Sequence, residues 1–140
     1  MSADLDFIDT NPFVYVFDRS DDEKRQRAMR IVAEGLRSGA VISYQVVQET
    51  LNVLTRKTLR APSPADSREF LEDVLVPLWR VHPSPELYQR GLDIQGKYRL
   101  SFYDSLIVAA AVGAGCTRLL TEDLQHGQII EGVRVENPFL

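Results

Sequence analysis

Four carboxylates stand where apolar segments of this 140-residue chain end. Asp9 follows Phe7-Ile8, Glu49 follows Val46-Val47, Asp104 follows Phe102-Tyr103, and Asp123 lies just past Leu119-Leu120. Brought together they would form an all-oxygen site for a hard divalent cation, Mg²⁺ or Mn²⁺. Carboxylates without His or Cys partners suit those ions rather than zinc or copper. His82 and His126 lack the spacing of a zinc pair. Cys116 is the only cysteine, so an internal disulfide is impossible, and it reads as a small buried residue.

Each acid also has a plainer reading. Ser101-Phe102-Tyr103-Asp104 fits a capping box, Asp9 could belong to the turn before Pro12, Glu49 to a solvated helix flank, and Asp123 to an exposed turn. These readings are independent of one another, whereas a shared site accounts for all four positions at once.

The elements that must position the acids alternate between short apolar, strand-like pieces and helix-length amphipathic ones. That is the pattern of an α/β domain with a mostly parallel sheet of four to five strands, flanked by helices in three layers. Strands are expected at 5–8, 40–43, 79–82, 118–120 and 133–135. Asn11-Pro12, Ser63-Pro64 and Ser84-Pro85 each put a capping residue before a proline and predict helix starts. Residues 22–36 carry Met29, Val32, Ala33 and Leu36 on one face, with Gly39 as the stop. Ser43 is placed to cap a helix whose stripe is Val46, Val47, Leu51, Val53 and Leu54, with Glu49 at its edge. Phe70, Leu71, Val74 and Leu75 keep helical spacing, and 86–98 is a more polar helix. From Leu106 to Val112 every residue is apolar, which predicts a helix buried on most sides and ended by Gly113 and Gly115. In this layout Asp9 and Asp123 fall at the carboxyl ends of strands, the edge where open parallel sheets bind ligands.

Length and composition predict one soluble domain over residues 1–140, since 44% hydrophobic and 26% charged residues is an ordinary globular mix. The longest apolar run is about half what a bilayer requires, and the acidic amino terminus has no signal-peptide order, so no membrane partner and a cytoplasmic location are expected. Net charge is −4, from 20 acidic and 16 basic residues. Setting aside the four candidate ligands leaves 16 of each, so the overall charge does not exclude RNA.

In order and spacing, Phe7-Ile8-Asp9-Thr10-Asn11, the Ser43…Glu49 helix, Tyr103-Asp104-Ser105-Leu106-Ile107-Val108-Ala109-Ala110-Ala111 and Leu120-Thr121-Glu122-Asp123-Leu124-Gln125-His126-Gly127 resemble the PIN-domain proteins. The likeness is strongest to the VapC-type ribonuclease toxins and spans essentially the whole chain. It implies that Asp9, Glu49, Asp104 and Asp123 are catalytic metal-binding acids, supported by Thr10, Asn11 and Thr121, with Glu122 competing with Asp123 for the last position. It further implies Mg²⁺- or Mn²⁺-dependent endonucleolytic hydrolysis of RNA to a 5′-phosphate and a 3′-hydroxyl, restraint by a cognate antitoxin, and a homodimer. Phe13, Val14 and Phe17 with Met29 and Val32 suggest more apolar surface than one small core can bury.

Arg56, Lys57 and Arg60 after the Glu49 helix, and Lys97 and Arg99 before Asp104, are candidate phosphate contacts. Tyr98, Phe102 and Tyr103 are candidates for stacking on bases, Phe102 being the one better suited to the core. The alternative function is a non-catalytic PIN-like module that binds RNA or a protein. A phosphotransfer protein fits less well. There is no Gly-x-x-x-x-Gly-Lys loop, and Gly113-Ala114-Gly115 ends a helix rather than starting one.

Overall fold

A computed structural model of the chain describes residues 4–56 and 62–140. Parallel strands and crossing helices follow one another as the alternation of patterns requires. They are β1 (Asp6–Ile8), α1 (Thr10–Tyr15), α2 (Asp22–Ser38), β2 (Ile42–Ser43), α3 (Tyr44–Leu54), α4 (Pro64–Phe70), a π-helical turn (Leu71–Leu75), α5 (Val76–Leu78) and β3 (Trp79–Val81), then α6 (Pro85–Tyr98), α7 (Phe102–Gly113), β4 (Arg118–Leu120), β5 (Ile129–Ile130) and β6 (Val133–Glu136). The central sheet has four strands in the order β1-β4-β6-β5, with β1, β4 and β6 parallel and β5 antiparallel. A parallel β2–β3 pair continues it through a bridge between Phe7 and Val41. Helices flank this mostly parallel sheet, the α/β architecture expected.

The core is the set of side chains that the strand and helix patterns turn inward. Phe7, Ile8, Leu119, Leu120, Val133 and Val135 come from the sheet, and every residue from Ser105 to Ala111 is buried in α7. Burying each large side chain stabilises the fold by roughly 1.5–3 kcal/mol. Arg118 clamps the sheet, donating through Nε and Nη2 to both oxygens of Asp6 (2.9 and 2.6 Å) and through Nη1 to Glu136 (2.8 Å). Three parallel strands are thus joined by one guanidinium, whose planar fork matches the carboxylates it meets.

Several local expectations are corrected. Helix α1 starts at Thr10 with Asp9 as its cap, so Asn11 is not the cap and Pro12 sits in the first turn, where a missing N–H costs nothing. Ser43 holds the capping position of α3, but its hydroxyl makes no cap bond and, among the described residues, is buried without a partner. Ser63, Ser84 and Ser101 do cap α4, α6 and α7. The helix through Phe70 and Leu75 slips into a π turn. Pro77 cannot donate to the carbonyl four residues earlier, and the Val76 N–H reaches back to Leu71 instead. The two-residue β5 was not foreseen, being too short to show a period. Gly39 ends α2 with φ +82, which favours glycine.

Candidate active site: a carboxylate cluster at the carboxyl edge of the sheet

The four predicted acids converge on one edge of the sheet. Asp9 leaves β1 and Asp123 follows β4, parallel neighbours, while Glu49 lies in α3 and Asp104 in the first turn of α7. Their mutual influence is electrostatic. Asp123 feels the charges of Asp104, Glu122 and Glu49, and Asp9 feels those of Asp123 and Glu49.

Asp9 is the innermost, with only 5% of its surface exposed. Its Oδ1 accepts from the Thr10 N–H (2.8 Å) and its Oδ2 from the Thr121 hydroxyl (2.8 Å), and Thr121 Oγ1 in turn accepts from the Asp123 N–H (3.1 Å). Thr121 therefore ties the carboxyl end of β1 to the turn after β4. Burial pushes the Asp9 carboxyl up to about 7, against the opposing pull of these hydrogen bonds and with help from Asp123 and Glu49. Asp123, at the rim, is also raised. Partial burial acts first, then Asp104 and Glu122, while a hydrogen bond shared with Asp9 opposes them. Asp9 is thus the acid of the cluster whose burial brings its proton exchange near neutral pH.

Glu49 is held from two sides. Thr10 Oγ1 donates to its Oε2 (2.7 Å) and Gln45 Nε2 to its Oε1 (2.9 Å). The same Gln45 amide reaches the Tyr103 carbonyl (3.2 Å), fastening α3 to the start of α7 one residue before Asp104. Gln45 was missed in the sequence, although a glutamine four residues before a glutamate on one helix face is a readable pair. The capping-box reading of Asp104 holds only in half. Ser101 Oγ accepts from the Asp104 N–H (3.1 Å), but among the described residues no bond returns from the Ser101 N–H to the Asp104 carboxylate, which is left to the cluster.

Glu122 is engaged elsewhere. The Tyr15 hydroxyl donates to its Oε1 (2.6 Å), and Lys24 stands 3.5 Å from Oε2 and 4.2 Å from the Tyr15 ring centroid. Tyr15 and Lys24 were also missed, and a contact spanning 107 positions leaves no local signal. Asn11 follows in the first turn of α1 and makes no side-chain hydrogen bond among the described residues.

The basic candidates divide. Arg56 is exposed just beyond α3, and Lys57 and Arg60 lie outside the described residues. Lys97 is paired with Glu131 in the β5–β6 turn (3.2 Å), and Arg99, exposed with φ 58, caps the end of α6. Phe102 is 36% exposed rather than part of the core. Cys116 is buried, and burial with the nearby Asp6 charge pushes its thiol up to about 12, which removes it as a nucleophile. His126 Nδ1 accepts from the Asn137 N–H and His82 packs beside Trp79, so neither joins the acids.

The donor set is the all-oxygen set that hard divalent cations take, and the raised carboxyls are what such a cation would relieve. Among the described residues, though, no three His, Cys, Asp or Glu side chains already stand in the geometry of a metal centre.

A family model of the PIN domain matches residues 7–130, and the chain belongs to that family. Among solved structures it is similar to a toxin–antitoxin complex from Klebsiella pneumoniae, with 18% identity over 94% of this chain and 96% of that one and a TM-score of 0.66. It is similar also to VapC20 from Mycobacterium tuberculosis, described as a sarcin-ricin loop cleaving toxin, with 19% identity, coverage of 84% and 89%, and a TM-score of 0.64. A third likeness is to the DNA-bound VapBC of Salmonella typhimurium, with 17% identity, coverage of 97% and 99%, and a TM-score of 0.65. At these identities the likeness is one of fold. No curated protein sequence matches the chain.

Proposed function

We propose that this chain is a divalent-metal-dependent endoribonuclease, the toxin of a toxin–antitoxin pair, in which Asp9, Glu49, Asp104 and Asp123 hold Mg²⁺ or Mn²⁺. The observation that carries the reading is the convergence of four carboxylates from four separate elements on one sheet edge, with Asp9 raised to about 7 and no Lys or Arg among its causes. The PIN-family match and the toxin–antitoxin neighbours support it. Divalent ions bound there would supply Lewis acidity to an attacking water and to the departing ribose oxygen.

The chain's own residues do the positioning. Thr10 serves Asp9 through its N–H and Glu49 through its hydroxyl, so one residue fixes the relative placement of two acids. Thr121 aims Asp9, and Gln45 with Thr10 holds the two oxygens of Glu49. Of the two acids after β4, Asp123 is the ligand in this reading, because Glu122 is already held by Tyr15 and Lys24.

Arg56 and Arg99 are the exposed cations we assign to phosphates of the RNA, Lys97 being committed to Glu131. Phe13 and Val32 are absorbed into the core, which weakens the apolar argument for a dimer, although Met29 and Leu36 stay exposed at 46% and 39%. The antitoxin partner rests on the structural neighbours. Among the described residues no helix is long and apolar enough to cross a membrane.

The test is cleavage of end-labelled structured and single-stranded RNAs by purified protein, with Mg²⁺, with Mn²⁺ and with EDTA. Metal-dependent cutting is expected. A folded protein, free of co-purified antitoxin, that cuts nothing with either metal would return the assignment to a non-catalytic RNA- or protein-binding module.

A further inference from the structure

Glu122 is a fifth carboxylate at the edge of the cluster, and the hydrolytic chemistry does not use it. It precedes Asp123 in the turn after β4, and its charge helps to raise the Asp123 carboxyl. The Tyr15 hydroxyl of α1 donates to Oε1 at 2.6 Å, and Lys24 of α2 stands 3.5 Å from Oε2. Lys24 also lies 4.2 Å from the Tyr15 ring centroid and 5.5 Å from that of Phe139, and these two rings meet edge-on at 5.2 Å. Three residues further along α2, Arg27 donates to the carbonyls of Pro138 (3.5 Å) and Leu140 (3.3 Å) on either side of Phe139.

An isolated surface ion pair contributes little, but here a phenol, an ammonium and two rings converge on one carboxylate, and each restrains the others. The kind of donor matters as well. Glu49 is held by a hydroxyl and an amide, which orient its oxygens and leave its charge unanswered. Glu122 is held by a cation, which answers the charge that would otherwise draw it to a metal ion. Left free, a glutamate next to Asp123 would compete for the same ion with one more methylene of reach.

We propose that Tyr15 and Lys24 are positioning residues that keep Glu122 out of the metal site, so that Asp123 alone of the two adjacent acids meets the divalent cation. The inference rests on the metal-dependent reading of the four acids. Tyr15 and Lys24 act through Glu122, and Phe139 acts by holding both of them in place. A fifth carboxylate would bind the cation more tightly and occupy a position that water or a phosphate oxygen needs. Loss of the restraint therefore exchanges rate for metal affinity, whereas a damaged fold would lower both.

The test combines Tyr15→Phe with Lys24→Met, in the chain as it stands and again with Glu122→Gln. These changes keep the ring and the apolar stem that pack together, and a melt without metal checks that the fold survives. One readout is the Mn²⁺ concentration that gives half of the Mn²⁺-induced rise in melting temperature. The other is kcat and KM for cleavage of the end-labelled RNAs. The paired change should lower the Mn²⁺ midpoint about threefold, as an added charge near a cation does, and kcat about tenfold, with KM little altered. Adding Glu122→Gln should return the midpoint and kcat to within about twofold of the parent, a non-additivity that assigns the effect to Glu122.

A midpoint and a kcat that stay parental in the paired variant would overturn the restraint while leaving the nuclease intact. Losses that Glu122→Gln does not reverse would overturn it too, since a purely structural pair, or a lysine that only attracts RNA, acts without Glu122. A Glu122-dependent shift of the Mn²⁺ midpoint in a protein that cuts no RNA would uphold the restraint and remove the nuclease reading. If Mn²⁺ raised the melting temperature of no variant and not of the parent, the metal site and the restraint would fall together.

Discussion

Asp6 opens β1 and Asp9 follows its last residue, so two aspartates three positions apart leave the same short strand in opposite electrostatic surroundings. Asp6 meets a guanidinium that also holds Glu136, and its charge is answered within the sheet. Asp9 meets Thr10, Thr121 and two further acids, and burial raises it to about 7. The contrast separates acids that hold the fold from acids that burden it. A carboxylate neutralised by arginine contributes to sheet geometry, whereas one left among like charges lowers the stability of the cation-free protein and is held ready for a ligand that supplies positive charge.

The largest expected effect breaks the contrast at its functional end. Asp104→Asn keeps the backbone N–H that Ser101 caps and removes only charge and a ligand oxygen. RNA cleavage should fall at least about 100-fold, roughly 3 kcal/mol of transition-state stabilisation. The melting temperature without metal should stay unchanged or rise, because one of the repelling charges is gone. Wild-type cleavage rates in this variant would end the site model.

Next comes pH. The Asp9 carboxyl holds its proton more tightly in the folded chain, about 7 against an ordinary 3.8, so unfolding releases a proton between those values. Stability of the metal-free protein should therefore be full near pH 4 and decline as pH rises toward about 7, by on the order of 3 kcal/mol from this group. Mn²⁺ must displace the same proton, and its stabilising effect should grow across that interval. Thermal melts from pH 5 to 7.5, with and without Mn²⁺, measure both slopes. Asp9→Asn should flatten both, and a slope that survives this change would place the titration on another group.

The fold and the positions of the four acids at the ends of apolar segments were legible because each depends on neighbours in sequence, whereas the acids' role as metal ligands comes from the family resemblance and stands as a proposal. Period-2 and helical apolar patterns located the strands and helices, serines before prolines located caps, and the acids sat where those patterns ended. What was not legible depends on distant partners. Asp6 and Asp9 look alike in the sequence, and only pairing β1 with β4 reveals that Arg118 answers the first and Thr121 the second. Glu122 and Asp123 were indistinguishable for the same reason, since Tyr15 lies 107 positions away. The cap of α1 was misassigned because Asn11-Pro12 carries the stronger local signal, while Asp9 is fixed as the cap by its strand.

Arg118→Met tests the structural end. It strips two partly buried carboxylates of their shared partner while keeping an apolar stem of similar length. The cost should be about 1–3 kcal/mol, discounted for the partial exposure of all three side chains. Cleavage per folded molecule should stay within about twofold, because no acid of the cluster touches this guanidinium. A large loss of activity at unchanged stability would mean that the two ends of β1 are coupled.

The smallest effect comes from Ser101, where the two roles come nearest to each other. Its hydroxyl accepts from the Asp104 N–H, so Ser101→Ala leaves the first turn of α7 with one fewer satisfied donor directly beneath a site acid. The change should cost about 1 kcal/mol, as lost caps do. If Asp104 serves the cluster through its carboxylate alone, kcat should drop less than about threefold and the Mn²⁺-induced rise in melting temperature should persist. Gln45 would account for that resilience, because it holds the Tyr103 carbonyl from α3 and keeps this turn in place when the cap is gone. Combining Ser101→Ala with Gln45→Leu should then cost more activity than the two changes separately, which a double-mutant cycle of kcat reads directly.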